Sequence, residues 1–160
     1  MLEIAFAFVA YLLGSVPNAI WVGRRFYGID VREHGSGNAG ATNVFRVLGK
    51  VPGSIVLVLD ILKGFLAVRL VDVLNWLSTQ GYSHLMWCKV EAEGLAMGDL
   101  KLLMVLFGTM SVVGHLIPIF ARFKGGKGVA TLFGMLIALN PAVAGSALLV
   151  FVITNIITGY

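Results

Sequence analysis

The chain has 160 residues, 58% of them hydrophobic and only 12% charged, with a formal net charge of +4 and a mean hydropathy of +0.91. A soluble domain carries about 25% charged residues, so these figures exclude one, and without basic repeats or interleaved surface aromatics the excess charge does not mark a nucleic-acid binder. Cys88 is the one cysteine, which rules out an internal disulfide framework and a Cys-based metal cluster, and His34, His84 and His115 share no metal-ligand spacing, so no metal site is expected.

Ile4 to Gly23 is apolar over the ~20 residues that a bilayer crossing needs. No basic n-region or small-residue cleavage site accompanies it, so it reads as a retained first helix. Pro17 and Asn18 interrupt this span and predict a kink or an early end, and Arg24 and Arg25 stop it. Phe26 to Pro52 reads as a polar, glycine-rich connection holding Arg32, Arg46 and Lys50. A second span runs from about Gly53 to Trp76 with Asp60 and Lys63 inside it, and Trp76 and Tyr82 suit an interfacial belt. Residues 77 to 101 are mixed, with Glu91, Glu93 and Asp99 against Lys89 and Lys101. Lys101 opens a third span that continues to about Phe120. Val129 to Leu139 is too short to cross a typical bilayer straight, Asn140-Pro141 reads as a turn, and Ala142 to Ile157 is another apolar helix. A hairpin is expected there in preference to one kinked helix, because Pro141 removes a helix donor and biases Asn140 out of the helical region. The expected fold is an all-α integral membrane protein: a polytopic helical bundle of about five transmembrane segments, forming one domain over residues 1–160.

Charge asymmetry orients it. Arg24, Arg25, Arg32, Arg46 and Lys50 face Asp30 and Glu33 in the first connection, and Arg122, Lys124 and Lys127 have no acid in the last. The connection between them is slightly acidic. Both glycine-rich basic loops are therefore expected on the cytoplasmic side, with the N-terminus outside, where they can build one site.

The second loop, Phe120-Ala-Arg-Phe-Lys-Gly-Gly-Lys-Gly-Val129, sets Gly125, Gly126 and Gly128 among Lys124 and Lys127. Glycines let a backbone turn its N–H groups inward, and a helix starting directly afterwards aims unpaired N–H groups at the same place. Those parts describe a phosphate pocket, although the Walker spacing and its Ser/Thr are absent. An ordinary juxtamembrane turn with positive-inside lysines is the bland alternative. The first loop, Gly35-Ser-Gly-Asn-Ala-Gly-Ala-Thr-Asn-Val-Phe-Arg46, offers Ser36, Gly37, Asn38, Thr42 and Asn43 as neutral phosphate donors and Arg46 as a planar fork, or else a flexible linker. Ser36 with His34 as base is disfavoured as a covalent nucleophile, since no carboxylate is placed to orient the imidazole. His115 is either a buried histidine satisfied by a helix carbonyl or a residue turned toward the loop site. Asp60 and Lys63 share a helical face in an apolar span and should pair, either to hold the second span against the site or to touch substrate.

The pieces Ala10-Tyr-Leu-Leu-Gly-Ser15, Gly35 to Asn43 with Arg46, Asp60-Ile-Leu-Lys-Gly64, and Gly114-His115 through Pro118 to Gly128 occur in this order. In them the chain resembles the bacterial acyl-phosphate-dependent glycerol-3-phosphate acyltransferase family, the PlsY type, over all but about residues 70 to 101. The resemblance implies a bacterial plasma-membrane enzyme with acyl phosphate and glycerol 3-phosphate as substrates, membrane lipid as surroundings, neither nucleic acid nor metal as partner, and no organic cofactor. It implies that Ser36, Arg46 and Lys127 are catalytic and that Gly37, Asn38, Thr42, Asn43, His115, Lys124, Gly125, Gly126 and Gly128 bind phosphate, with Asp60 and Lys63 in support. Family members continue into a Ser-rich stretch, further helix and a polar motif supplying His and Asn, whereas this chain stops at Thr158-Gly-Tyr160, so C-terminal incompleteness is expected. The competing expectations are an inactive membrane remnant and an anion- or phosphate-binding transport protein.

Overall fold

The computed structural model describes residues 1–88, 90–91 and 94–159. Its helices are α1 (Leu2–Ser15), α2 (Asn18–Tyr27), α3 (Ala41–Leu48), α4 (Lys50–Thr79), α5 (Met97–Leu116), α6 (Val129–Leu139) and α7 (Pro141–Thr158). One minimal antiparallel pair, β1 (Val90–Glu91) with β2 (Gly94–Leu95), lies before α5. Lys89 and Glu93, which entered the charge reading of that connection, lie outside the described residues, as does Tyr160.

Each apolar stretch expected from the sequence is helical. Among the described residues, Leu2–Tyr27, Met97–Ala121 and Pro141–Thr158 are long and apolar enough to cross a membrane, and Val129–Leu139 is a shorter apolar helix. The 30-residue α4 is ~45 Å long by its rise per residue and buries Asp60 and Lys63 midway.

The first span breaks where proline requires it. Val16 is extended (φ −61°, ψ 113°) and Pro17 leaves the helical region (φ −89°, ψ 68°). Helix ends leave carbonyls without donors, and that of Val16 takes the ammonium of Lys63 from α4 at 2.9 Å. The polar connection after α2 is more ordered than the sequence indicates. It contains α3, which buries Val44 in a cluster with Ala19, Val22, Val31 and Val56. Gly49, at φ 96°, separates α3 from α4.

Asn140 is extended (φ −158°, ψ 101°), and its side chain accepts from the N–H groups of Ala142 and Val143 at 3.1 and 3.3 Å, with Pro141 in the first turn. The break between α6 and α7 is the expected one. Only Ala144 of α7 is buried, so close hairpin packing is not developed along its length.

Glycines let the helices approach to backbone contact. A Cβ at Gly14 would strike the Ser111 backbone and one at Gly114 the Tyr11 carbonyl, tying α1 to α5. Gly64 meets the Thr131 carbonyl and Gly134 the Ile61 carbonyl, tying α4 to α6. Ala10, Ala67, Val71, Leu74, Leu103 and Phe107 fill the bundle toward the end that carries the β pair. At that end the Glu3 carboxylate accepts the backbone N–H groups of Trp87 and Cys88 at 2.6 and 3.1 Å. At the opposite end Arg32 Nη1 donates to the Ala121 carbonyl at 3.2 Å. The two basic loops therefore share one end of the bundle, as the charge asymmetry requires, and residues 82–88 with the β pair lie at the other.

Candidate functional site

Two polar side chains shape the first loop. Asp30 accepts from Arg32 N, Nε and Nη2 at 3.0, 3.1 and 2.7 Å and from Arg24 Nη2 at 2.8 Å. The Arg32 hydrogen bonds outweigh burial and hold this carboxyl well below the usual carboxylate range, and the same pair pushes the Arg32 guanidinium up. Asn43, 1% exposed, donates through Nδ2 to the carbonyls of Val31 and His34 at 2.7 and 3.1 Å. Its Oδ1 accepts from Ser36 N and Oγ at 2.8 and 3.1 Å. Asn43 is thus a brace that leaves Ser36 exposed, with its hydroxyl oriented. Gly35 and Gly37 supply left-handed turns at φ 62° and 70°. The His34 ring approaches the Asp30 carbonyl at 3.1 Å, an alignment that does not make it a base for Ser36. Thr42 and Arg46 are exposed on α3, and Asn38 is half-buried.

The second loop turns on Arg122 and Phe123, consecutive left-handed residues at φ 54° and 60°. Gly126 N then donates to the His115 carbonyl at 3.2 Å. Of the loop's glycines only Gly128 is left-handed, at φ 77°. Gly125 and Gly126 are required for close approach instead. A Cβ at Gly125 would meet the His115 carbonyl, and one at Gly126 would meet the His115 ring and lie 2.9 Å from the Ala39 carbonyl. The two loops therefore touch, over His115. Lys124 and Lys127 are exposed, and the side chains of Lys127 and Arg46 make no hydrogen bond or ion pair among the described residues.

Beneath the loops lies a buried polar floor. Asp60 Oδ1 accepts from Asn18 Nδ2 at 2.9 Å and pairs with Lys63 Nζ at 3.0 Å. His115 Nδ1 is 3.1 Å from Thr131 Oγ1 and 3.8 Å from Asp60 Oδ1. A small space of about 10 Å³ remains among Asn18, Ala39, Asp60, Lys63, His115 and Gly125. Of the two sequence readings of Asp60 and Lys63, this geometry favours the bracing one. His115 is satisfied by a hydroxyl rather than by a helix carbonyl, and it carries the second loop on its own backbone oxygen. Asn18 and Thr131 were missed from sequence. Their only signal there is a polar side chain in an apolar run.

Above the floor an open cleft of about 480 Å³ spans both loops, with Arg32, Gly37, Arg122, Lys124 and Gly125 on its walls and Asp30 and Glu33 at one side. Exposed guanidinium and ammonium groups with loop N–H groups suit phosphate oxygens. No cluster of His, Cys, Asp and Glu able to hold a metal occurs among the described residues.

Residues 4–160 match the family model described as glycerol-3-phosphate acyltransferase. The chain is 45% identical over 150 residues to the glycerol-3-phosphate acyltransferase of Enterococcus faecalis, covering 94% of this chain and 58% of that protein. It is 40% identical over 157 residues to that of Listeria monocytogenes, covering 98% and 69%. The crystal structure of PlsY, an integral membrane glycerol 3-phosphate acyltransferase, in its glycerol 3-phosphate form superposes with a TM-score of 0.71 at 36% identity, covering 98% of this chain and 66% of PlsY. The lysophosphatidic acid form gives 0.68 at 35%, covering 97% and 65%. The chain thus spans between 58% and 69% of the length of these proteins.

Proposed function

This chain belongs to the glycerol-3-phosphate acyltransferase family, a multi-pass membrane family of bacteria, and from that premise we propose that it transfers a fatty acyl group from acyl phosphate to the 1-hydroxyl of glycerol 3-phosphate. The observation that carries this reading is the meeting of the two glycine loops, Gly126 against Ala39, above a floor that holds them in place.

Acyl phosphate is a mixed anhydride and already activated. The glycerol oxygen attacks the acyl carbonyl carbon, the carbon–oxygen bond to phosphate breaks, and the electron pair leaves with inorganic phosphate. The hydroxyl proton goes to a phosphate oxygen, whose second pKa lies near ~6. The protein's share is then orientation and charge stabilisation. Arg46 and Lys127, exposed and without an ion pair among the described residues, hold phosphate oxygens. The N–H groups of the second loop share the developing charge, with Lys124 at the cleft wall, and the Ser36 hydroxyl joins them by turning its proton from Asn43 Oδ1 to a phosphate oxygen. Asn43 and His115 position these groups and do not themselves contact the reactants, and Asp60 and Lys63 fix the floor. The loops face the cytoplasm across the plasma membrane and the N-terminus lies outside, an orientation that the basic charge of the loops supports.

The test is release of inorganic phosphate, with lysophosphatidic acid detected by mass spectrometry, from purified protein in lipid given both substrates. In the protein carried at the full length of its relatives, of which this chain spans 58% to 69%, turnover is expected, lowered about a hundredfold by Arg46→Ala and by Lys127→Ala at equal expression. No transfer by that full-length protein, or both variants retaining full activity, overturns the reading.

A further inference from the structure

A second cavity, of about 210 Å³, opens on the flank of the bundle between α2 and the turn after α5. Its floor is Ile20 and Ala121, which with Ala39 form a buried cluster. That cluster walls the cavity off from the space around His115 and Asp60, which Ala39 lines from the other side. Arg24, Arg32 and Arg122 supply its polar lining, and Trp21 and Phe120, each 53% exposed, form its apolar rim. Arg32 and Arg122 are the ridge shared with the catalytic cleft, whereas Arg24, Trp21 and Phe120 belong to this cavity alone.

The cations are arranged in advance. Asp30 holds Arg24 and Arg32 in one cluster at 2.8 and 2.7 Å. Three guanidiniums stand against the carboxylates of Asp30 and, from the cleft side, Glu33, and the balance stays positive. The Arg122 side chain makes no hydrogen bond or ion pair among the described residues and stays available, so the advance ordering is that of Arg24 and Arg32. Groups ordered beforehand lose little entropy on binding, and guanidinium matches phosphate oxygens in pairs.

The level of the cavity selects the phosphate. The apolar spans Leu2–Tyr27 and Met97–Ala121 both end around it, so it lies where an apolar bilayer core gives way to headgroups. Indole and phenyl groups at that level lie naturally beside acyl chains. Pockets for whole drug-sized ligands start at about 300 Å³, so this one admits a headgroup and leaves the chains outside, along Trp21 and Phe120. We infer that this cavity is a binding site for the phosphate headgroup of an anionic phospholipid of the surrounding bilayer, adjoining the acyl-transfer cleft across the Arg32 and Arg122 ridge. Basic pockets beside membrane helices take anionic headgroups on the same physical grounds.

Trp21 reports on the site directly. The other tryptophans, Trp76 and Trp87, are exposed toward the opposite end, and replacing both by phenylalanine leaves Trp21 as the sole emitter. In nanodiscs, brominated phosphatidylglycerol should quench Trp21 at a mole fraction about fivefold lower than brominated phosphatidylcholine, roughly the gain from one basic residue at an anionic surface. Arg24→Gln with Arg122→Gln should merge the two curves, while Arg122→Lys keeps them apart. Arg122→Gln alone, which breaks no internal bond, should narrow the gap if the double variant does not fold. Equal quenching by both lipids in the parent overturns the inference, and so does a preference that survives every glutamine variant. A preference abolished by millimolar inorganic phosphate or glycerol 3-phosphate also overturns it, because the cavity would then be a soluble-phosphate site.

Discussion

The ammonium of Lys63 lies 2.9 Å from the carbonyl oxygen of Val16, across the gap that Pro17 opens between α1 and α2. The same ammonium pairs with Asp60, whose other partner is Asn18 on the far side of the gap. One buried pair on α4 therefore holds both ends of a broken helix. Lys63→Met removes a donor from Val16 and leaves Asp60 charged and buried, a loss of about 3–5 kcal/mol. Adding Asp60→Asn should recover part of it, because the uncompensated charge goes. Denaturant unfolding in detergent of the parent, the two single variants and the double variant checks this, and additive losses would show that the pair is not coupled.

Gly126→Ala drives a methyl group into the His115 ring and the Ala39 carbonyl, so the second loop must lift from the first. Misplacing a reactant by about an ångström costs on the order of a hundredfold in rate. Acyl transfer should fall by that order while expression holds. Gly98→Ala is the control, since nothing lies near its added methyl group. Matching rates for the two variants would mean that contact between the loops does not order the site.

Acid stability should depend on Asp30. Its carboxyl is held low in the folded protein, first by the Arg32 hydrogen bonds, so the contribution is complete above the unfolded aspartate value near ~3.9. It declines as pH falls below that value toward the depressed folded one. Asp30→Asn should lower stability at neutral pH and flatten its fall between about pH 4 and pH 2. Parallel pH profiles for parent and variant would remove Asp30 from this role.

Labelling from either face of the membrane tests the arrangement of the ends. Cysteines at Ser36 and Lys124, both exposed, should react with an impermeant thiol reagent from one side, and one at Ser83 from the other. Gly125 is unsuitable, as any side chain there meets the His115 carbonyl. Cys88 is replaced by alanine for clarity, though burial and then the Glu3 carboxylate push its thiol up to about 11 and slow its reaction near neutral pH. Labelling of positions 36 and 124 from opposite sides would dismantle the shared site.

The sequence is most legible where a local signal decides the outcome. α6 begins after Gly128 and ends before Asn140-Pro141, as read, because a left-handed cap and a proline act over one or two residues. The common end of the two basic loops follows from charge, and the Arg32–Ala121 bond bears it out. Tertiary packing hid the rest. α3 forms inside a polar connection because Val44 finds Val31 and Val56. Asn43 reads as a phosphate donor until its amide is seen spent on Val31 and His34. Nothing local announces that Thr131 reaches His115, or that Asp30 gathers Arg24 and Arg32. Of the second loop's glycines Gly128 takes the expected left-handed backbone, whereas Gly125 and Gly126 are small because backbone and ring press on them.

Backbone contact at glycine has a mechanical side. Gly14 and Gly114 join α1 to α5, and Gly64 and Gly134 join α4 to α6, with no side chain between to act as a bearing. Each pair is stiff and translates as one strut. α5 meets α6 differently, through Gly108 and the side chain of Met135, beside Val68. A thioether with several rotatable bonds yields where carbonyl and Cα cannot. The softest contact between α5 and α6 is therefore the Met135 side chain, ~10 Å along α6 from the second loop, whereas the hydrogen bond between His115 and Thr131 ties the same two helices at the floor.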